Sequence, residues 1–194
     1  MASISRKLAA AGFAAFNISY RSASQHPYPA AVDDVRGAIA WLKQNAEQYQ
    51  IDPQRIGGWG YSAGGQLILR AGLDPQMEMG AIVSGGTPAR FSYWPASRVI
   101  TRFIGATYAE APEIWEDASP VNHVEPGSPP VFLYHGEADE LVDAVQMEFM
   151  AQELRAMNVP VQTRLLEDKG HVSTYLFAGE VERQAIDFLK TWLM

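Results

Sequence analysis

The stretch that decides the fold runs from Gly58 to Gly65, Gly58-Trp59-Gly60-Tyr61-Ser62-Ala63-Gly64-Gly65, or GWGYSAGG. It lies between a run predicted as a strand, Arg55–Gly60, and a run predicted as a helix, Ala63–Ala71. Residues Gly60 to Gly64 fit G-x-S-x-G, in which a serine on a sharp strand-to-helix turn holds its hydroxyl above the sheet. The flanking glycines leave out side chains that would clash in so tight a turn, and the helix N-terminus favours nearby negative charge. Five residues are a weak signal alone; the strand before and the helix after supply the required context. The structural alternative is a tight glycine turn around a buried serine.

Outward from this elbow, strands and helices alternate. Upstream, a short helix is predicted over Ile4 to Ala11, stopped by Gly12 and followed by a strand over Phe13–Tyr20. Arg6-Lys7 and LAAAGFAAF also resemble the basic and apolar parts of a secretory signal peptide. Asn17, Ser19, Tyr20 and Arg21 continue as strand without a clean cleavage site, so a cytoplasmic protein is expected. The polar loop RSASQHPYP leads into a helix from about Ala31 to Tyr49. Val35, Ile39, Leu42 and Ala46 mark its inner face, and Asp33 and Asp34 suit its positive N-terminal end.

Downstream, Gly80 to Ser84 and Val131 to Tyr134 read as buried strands. Val161, Thr163 and Leu165 alternate with polar residues, as in a strand near a sheet edge. The helix before that strand is predicted to start with Asp143 and Gln146 as a capping box and to bury Met147, Met150, Ala151 and Leu154. A last helix, Gly179 to Leu193, is predicted to bury Val181, Ala185, Leu189 and Trp192. Residues 87–127 are aromatic, proline-bearing and aperiodic, which predicts an insertion of short helices, a cap. Its Phe91, Tyr93, Trp94, Phe103 and Tyr108 either line an acyl or alcohol pocket or pack the cap itself. The fold class is α/β, a mostly parallel sheet with helices on both faces, in one domain over residues 1–194.

Composition bounds the function. With 47% hydrophobic and 19% charged residues, the 194-residue chain falls among globular proteins. Its formal net charge of -7 argues against a nucleic-acid partner, whose phosphates such a surface repels. The absence of cysteine excludes disulfides and cysteine metal sites. His26, His123, His135 and His171 include no i, i+4 histidine pair, so neither metal nor cofactor is expected. No run approaches the roughly 18 apolar residues of a membrane span.

A serine that attacks acyl groups needs a base, an orienting carboxylate and oxyanion donors. The order expected for this elbow is serine, acid, histidine. HGEADELV begins at the end of the Val131–Tyr134 strand and places Asp139 in the following loop. Glu137 and Glu140 are its rivals, and Asp143 is accounted for by its cap. DKGHVS then puts His171 in a glycine-bearing loop before the last helix, as the one histidine after the proposed acid. Ser62 would attack, His171 would take its proton, and Asp139 would hold the imidazole tautomer. The backbone N–H of Ala63 would be one oxyanion donor.

These residues carry a resemblance. YPAAVDDVRGAIAWLKQNAEQYQIDPQRIGGWGYSAGG resembles the α/β-hydrolase esterases, particularly the branch with acetyl-xylan and feruloyl esterases and the hormone-sensitive-lipase-like enzymes. ASPVNHV, LYHGEADELV and EDKGHVS continue it over nearly the whole chain. The resemblance implies a triad of Ser62, Asp139 and His171, and a structural role for the Asp33–Asp34 pair. Asp143 stands where many relatives have proline.

The front of the chain departs from that family, whose members begin with about three further strands and a His-Gly-Gly-Gly-type oxyanion loop. These residues contain no such loop, and losing one oxyanion donor typically costs about 10² to 10³ in rate. In the family a third strand lies between the two that correspond here to Phe13–Tyr20 and Arg55–Gly60. An empty lane about 4.8 Å wide per strand leaves two unpaired edges. Two repairs are expected to compete: Phe13–Tyr20 slides beside Arg55–Gly60, bringing the RSAS loop to Ser62, or a second copy completes the sheet as a homodimer.

The function implied is a serine carboxylesterase on small acyl esters, acetylated carbohydrates among them, with a small-molecule ester as partner. The alternatives are a truncated, weakly active or non-catalytic domain, and a serine peptidase of prolyl-oligopeptidase type.

Overall fold

The computed structural model describes residues 2–194. Four strands form one parallel sheet: β1 (Gly57–Tyr61), β2 (Ala81–Gly85), β3 (Val131–Gly136) and β4 (Val161–Leu166), lying side by side in chain order. The helices are α1 (Ala2–Ala10), α2 (Ala30–Gln44), α3 (Ala63–Gly72), α4 (Arg98–Ile104), α5 (Pro112–Ala118), α6 (Val145–Ala156), α7 (His171–Phe177) and α8 (Gly179–Leu193). Among the described residues no helix is long and apolar enough to cross a membrane.

Every residue of β2 and β3 is buried, as required of central strands covered on both faces. Their side chains divide by parity. Ile82, Val131 and Leu133 join a core with α2, α3 and α6 on one face. Ala81, Val83, Phe132 and Tyr134 join a second core with α8 on the other. The valine, isoleucine, leucine and phenylalanine side chains among them each contribute about 1.5–3 kcal/mol when fully buried. Lys7 of α1 pairs with Glu182 of α8, and Leu8 and Phe13 pack against the α8 core.

The predicted strand over Phe13–Tyr20 is not a strand. The segment is irregular, and none of residues 14–20 makes a backbone–backbone hydrogen bond. Its apolar residues stay half-exposed, with Phe16 at 38%, Ile18 at 45% and Tyr20 at 45%. The reason lies across from it. A cleft of about 410 Å3, lined by residues 12–17 and 55–59, separates it from β1. A second, also of about 410 Å3, continues between Phe16–Tyr20 and Trp59–Tyr61. The Ile56 carbonyl and the Ser62 N–H bond toward β2, so by strand alternation the backbone groups of Gly57, Trp59 and Tyr61 face this open lane. The segment therefore has not slid in beside β1.

Other expectations shift in detail. α2 ends at Gln44, and turns carry the chain on to Gln50. Gln146 forms no capping box: it lies in the first turn of α6, fully buried, with Oε1 accepting the Ala89 and Arg90 N–H groups. Asp143 is not the N-cap either: Ala144 holds that position without a side-chain cap bond, and Asp143, one residue earlier, accepts the Val145 N–H at 3.0 Å. Trp192 is 44% exposed, and Leu193 takes the buried place over Gly57 and Gly80, whose lack of side chains makes room for it. On the edge strand β4, Leu165 is exposed.

Residues 87–127 carry α4, α5 and short 3-10 turns at Phe91–Tyr93 and Pro120–His123. They gather a separate cluster of Phe91, Ile100, Ile104, Trp115 and Ala118. The Gln66 side chain donates to the Ala118 carbonyl, and Arg70 pairs with Asp117, which fastens this cluster to α3.

Candidate active site

The elbow begins as β1 ends. Ser62 has φ 54° and ψ −123°, a conformation that costs a non-glycine residue about 1–3 kcal/mol. Two backbone bonds hold it: the Ser62 N–H donates to the Gly85 carbonyl at 2.8 Å, and its own carbonyl accepts from Gln66 at 3.1 Å. The glycines around it differ in purpose. A Cβ on Gly60 would lie 2.1 Å from the Gly64 carbonyl oxygen, so this glycine is required by backbone contact. A Cβ on Gly64 would meet nothing within 4 Å, contrary to the expected clash. Gly65 is the second close approach, its Cβ position only 2.0 Å from Thr87 Oγ1.

Asp139 and His171 reach the elbow from neighbouring strand ends. The loop after β3 is tied to the loop after β4, with Glu137 N–H donating to the Leu166 carbonyl and Ala138 N–H to the Lys169 carbonyl. His171 is the first residue of α7, a helix that the sequence pattern did not reveal. The Asp139 side chain is wholly buried, whereas Glu137 and Glu140 are exposed. Asp139 Oδ1 accepts the N–H groups of Leu141 and Val142 at 3.0 and 2.8 Å. Its Oδ2 lies 2.6 Å from His171 Nδ1, and His171 Nε2 lies 2.9 Å from Ser62 Oγ. Both ring nitrogens are thus engaged: Nδ1–H donates to the carboxylate, and Nε2 is left to accept the serine proton.

Tyr61, inside the motif, was not singled out by sequence. Its hydroxyl donates to the His171 carbonyl at 2.6 Å and its ring lies 5.1 Å from the imidazole. Burial, and then the negative charge of Asp139, push that hydroxyl above the usual phenol range, so it stays a donor. The hidden signal was aromatic character next to the serine.

Ala63 opens α3, so its N–H has no acceptor within the helix and is available one residue beyond Ser62. In the RSAS loop, Arg21 bonds through its backbone N–H and guanidinium to Asp34, so those donors are already engaged. That pairing also gives Asp34 a structural part, while Asp33 pairs with Arg36. The aromatic residues of 87–127 pack on one another, Phe91 with Phe103 and Tyr93 with Trp94. The cleft that His171 borders is instead lined by Phe16, Tyr20, Trp59, Tyr61 and Tyr175.

The BD-FAE family model matches residues 1–154. The chain belongs to the BD-FAE family. It is 32% identical to Esterase LipC of Mycobacterium tuberculosis over 176 residues, which cover 78% of this chain and 43% of LipC. It is 29% identical to Esterase LipQ of the same organism over 162 residues, 74% of this chain and 38% of LipQ. This BD-FAE chain therefore spans less than half the length of these curated relatives. Among solved structures it superposes on a truncated form of a carbohydrate esterase from gut microbiota with a TM-score of 0.88 and 25% identity. That match covers 98% of this chain and 78% of the other. The parallel sheet and this likeness establish the α/β-hydrolase fold.

Proposed function

We propose that this BD-FAE domain is a serine carboxylesterase that hydrolyses small acyl esters through an acyl-enzyme on Ser62. The observation that carries the reading is the continuous hydrogen-bond chain from Ser62 Oγ through His171 to buried Asp139. In the first half-reaction Ser62 Oγ bonds to the acyl carbon as its proton passes to His171 Nε2. The imidazolium, stabilised by Asp139, then protonates the departing alkoxide. Water, deprotonated by His171, attacks the acyl-enzyme and releases the carboxylic acid, which restores Ser62. The Ala63 N–H donates to the oxyanion in both steps.

The names of the relatives favour ester over amide substrates, and that of the carbohydrate esterase favours carbohydrate esters within that class; acetylated carbohydrates are the members proposed here. Ala63 supplies one oxyanion donor, and each donor at such a site is worth about 10² to 10³ in rate. Residues 87–127 act as the domain's cap. The open lane along β1 supports pairing with a second copy, which light scattering would report as a dimer; a monomer at all concentrations rules that pairing out.

Labelling by a fluorophosphonate tests the nucleophile without a choice of substrate. The expected result is a single adduct on Ser62, absent in Ser62→Ala, with p-nitrophenyl acetate hydrolysis lost in the same variant. Equal hydrolysis by both proteins, or no adduct on folded wild type, overturns the esterase reading and leaves a non-catalytic domain.

A further inference from the structure

A second imidazole lies behind the triad acid, and the chemistry above does not use it. His135 belongs to β3, paired across the sheet with Leu165, and is 1% exposed. Its Nε2 is 2.8 Å from the Val142 carbonyl oxygen and 3.3 Å from Asp139 Oδ2. A carbonyl oxygen only accepts, and so does an ionised carboxylate. Nε2 must therefore carry a hydrogen. Burial lowers the basicity of this imidazole, which makes the neutral Nε2–H tautomer the resident form.

The consequences run through Asp139. Val142 receives a hydrogen bond at its carbonyl from His135 and gives one from its N–H to Asp139 Oδ1. The same Nε2 lies 3.3 Å from Oδ2, the oxygen that holds His171. One carboxylate oxygen is thus held by two backbone N–H groups and the other is flanked by two imidazoles. A buried carboxylate with both oxygens committed has one orientation, and its base-holding oxygen is set by the rigid strand below it.

We propose that His135 is a positioning residue for the esterase, which fixes the Asp139 carboxylate through the Val142 carbonyl and so sets the orientation of His171. This rests on the esterase reading. His135 touches neither substrate nor Ser62, and its effect passes wholly through Asp139. The requirement is a hydrogen donor at the Nε2 position, so a side chain that keeps a donor there should work and one of similar bulk without a donor should not.

The test compares His135→Gln, which offers an amide donor, with His135→Phe, which fills the space without one. The expected result is kcat within about threefold of wild type for His135→Gln and a 10- to 100-fold loss for His135→Phe, with KM unchanged in both, on the scale of a lost outer-shell partner. The downfield proton of the His171 Nδ1–H···Asp139 bond should persist in His135→Gln and shift or vanish in His135→Phe. Equal kcat and an unmoved proton resonance in folded His135→Phe overturn the proposal. Should His135→Phe not fold, 15N-resolved tautomer assignment on wild type decides: an Nδ1–H or doubly protonated His135 refutes it. Wild type that takes no fluorophosphonate label instead sinks the esterase reading, whereas labelled, active wild type alongside an active His135→Phe sinks this inference alone.

Discussion

Alanine at two glycines of one five-residue motif should change stability in opposite directions. At Gly60 the added Cβ meets three backbone atoms, the Gly64 oxygen at 2.1 Å, the Gly64 carbon at 2.3 Å and the Gly65 nitrogen at 2.6 Å. Ordinary contact begins near 3.4 Å. No rotamer change can relieve such a clash, so the elbow itself must move. Overpacking of this kind costs about 3 kcal/mol or more at the severe end of its range. At Gly64, within α3, the same methyl meets nothing within 4 Å. The substitution there reduces the freedom of the unfolded chain and should stabilise by about 0.4–1 kcal/mol. For a chain of this size those values become a fall in Tm of roughly 6–12 °C for Gly60→Ala and a rise of roughly 1–4 °C for Gly64→Ala. Calorimetric melts at neutral pH with urea unfolding as a check would measure both. A Gly64→Ala protein less stable than wild type by over about 1 kcal/mol, or a Gly60→Ala protein with the wild-type Tm, refutes the reasoning.

Replacing Asp139 by Asn should leave the fold and lower kcat by about 10⁴, because the amide favours the wrong His171 tautomer. Glu137→Gln and Glu140→Gln, at exposed positions, should keep wild-type kcat; a comparable loss in either would move the acid. Trp115 is 0% exposed and its indole N–H donates to the Ala106 carbonyl, so Trp115→Ala should cost about 3–5 kcal/mol in a denaturant titration. Burial lowers the basicity of His135 and His123 below the ordinary 6.5. The unfolded chain therefore takes up protons before the folded one, and stability should be full above pH 6.5 and fall as the pH drops below it. His135→Gln should flatten that slope in melts between pH 7.5 and 5.5; an unchanged slope shows that His135 does not carry it.

Much of the site was legible because its chemistry is ordered along the chain. The elbow, the acid after one strand and the base after the next follow from strand ends that a parallel sheet gathers at one edge. What sets Asp139 apart from Glu137 and Glu140 is visible only in the structure: its side chain is buried and theirs are exposed. His135 stood in the same quoted HGEAD segment, four residues before Asp139, but a lone histidine carries no signal until its carbonyl partner is known. Gly64 misled because a motif glycine suggests a clash, and only coordinates show which glycine has a neighbour.

By itself the sequence determined what is periodic and local: the buried central strands, the amphipathic helices and the strand–serine–helix turn. Periodicity reports which face a residue presents, and a turn is set by its own few dihedrals. Whether Phe13–Tyr20 is a strand was never local, because a strand exists only through the partner that accepts its hydrogen bonds. Its apolar residues suited a sheet, yet across the open lane from β1 it remains unpaired. Tertiary structure alone decided that, since pairing is a property of two segments and the distance between them.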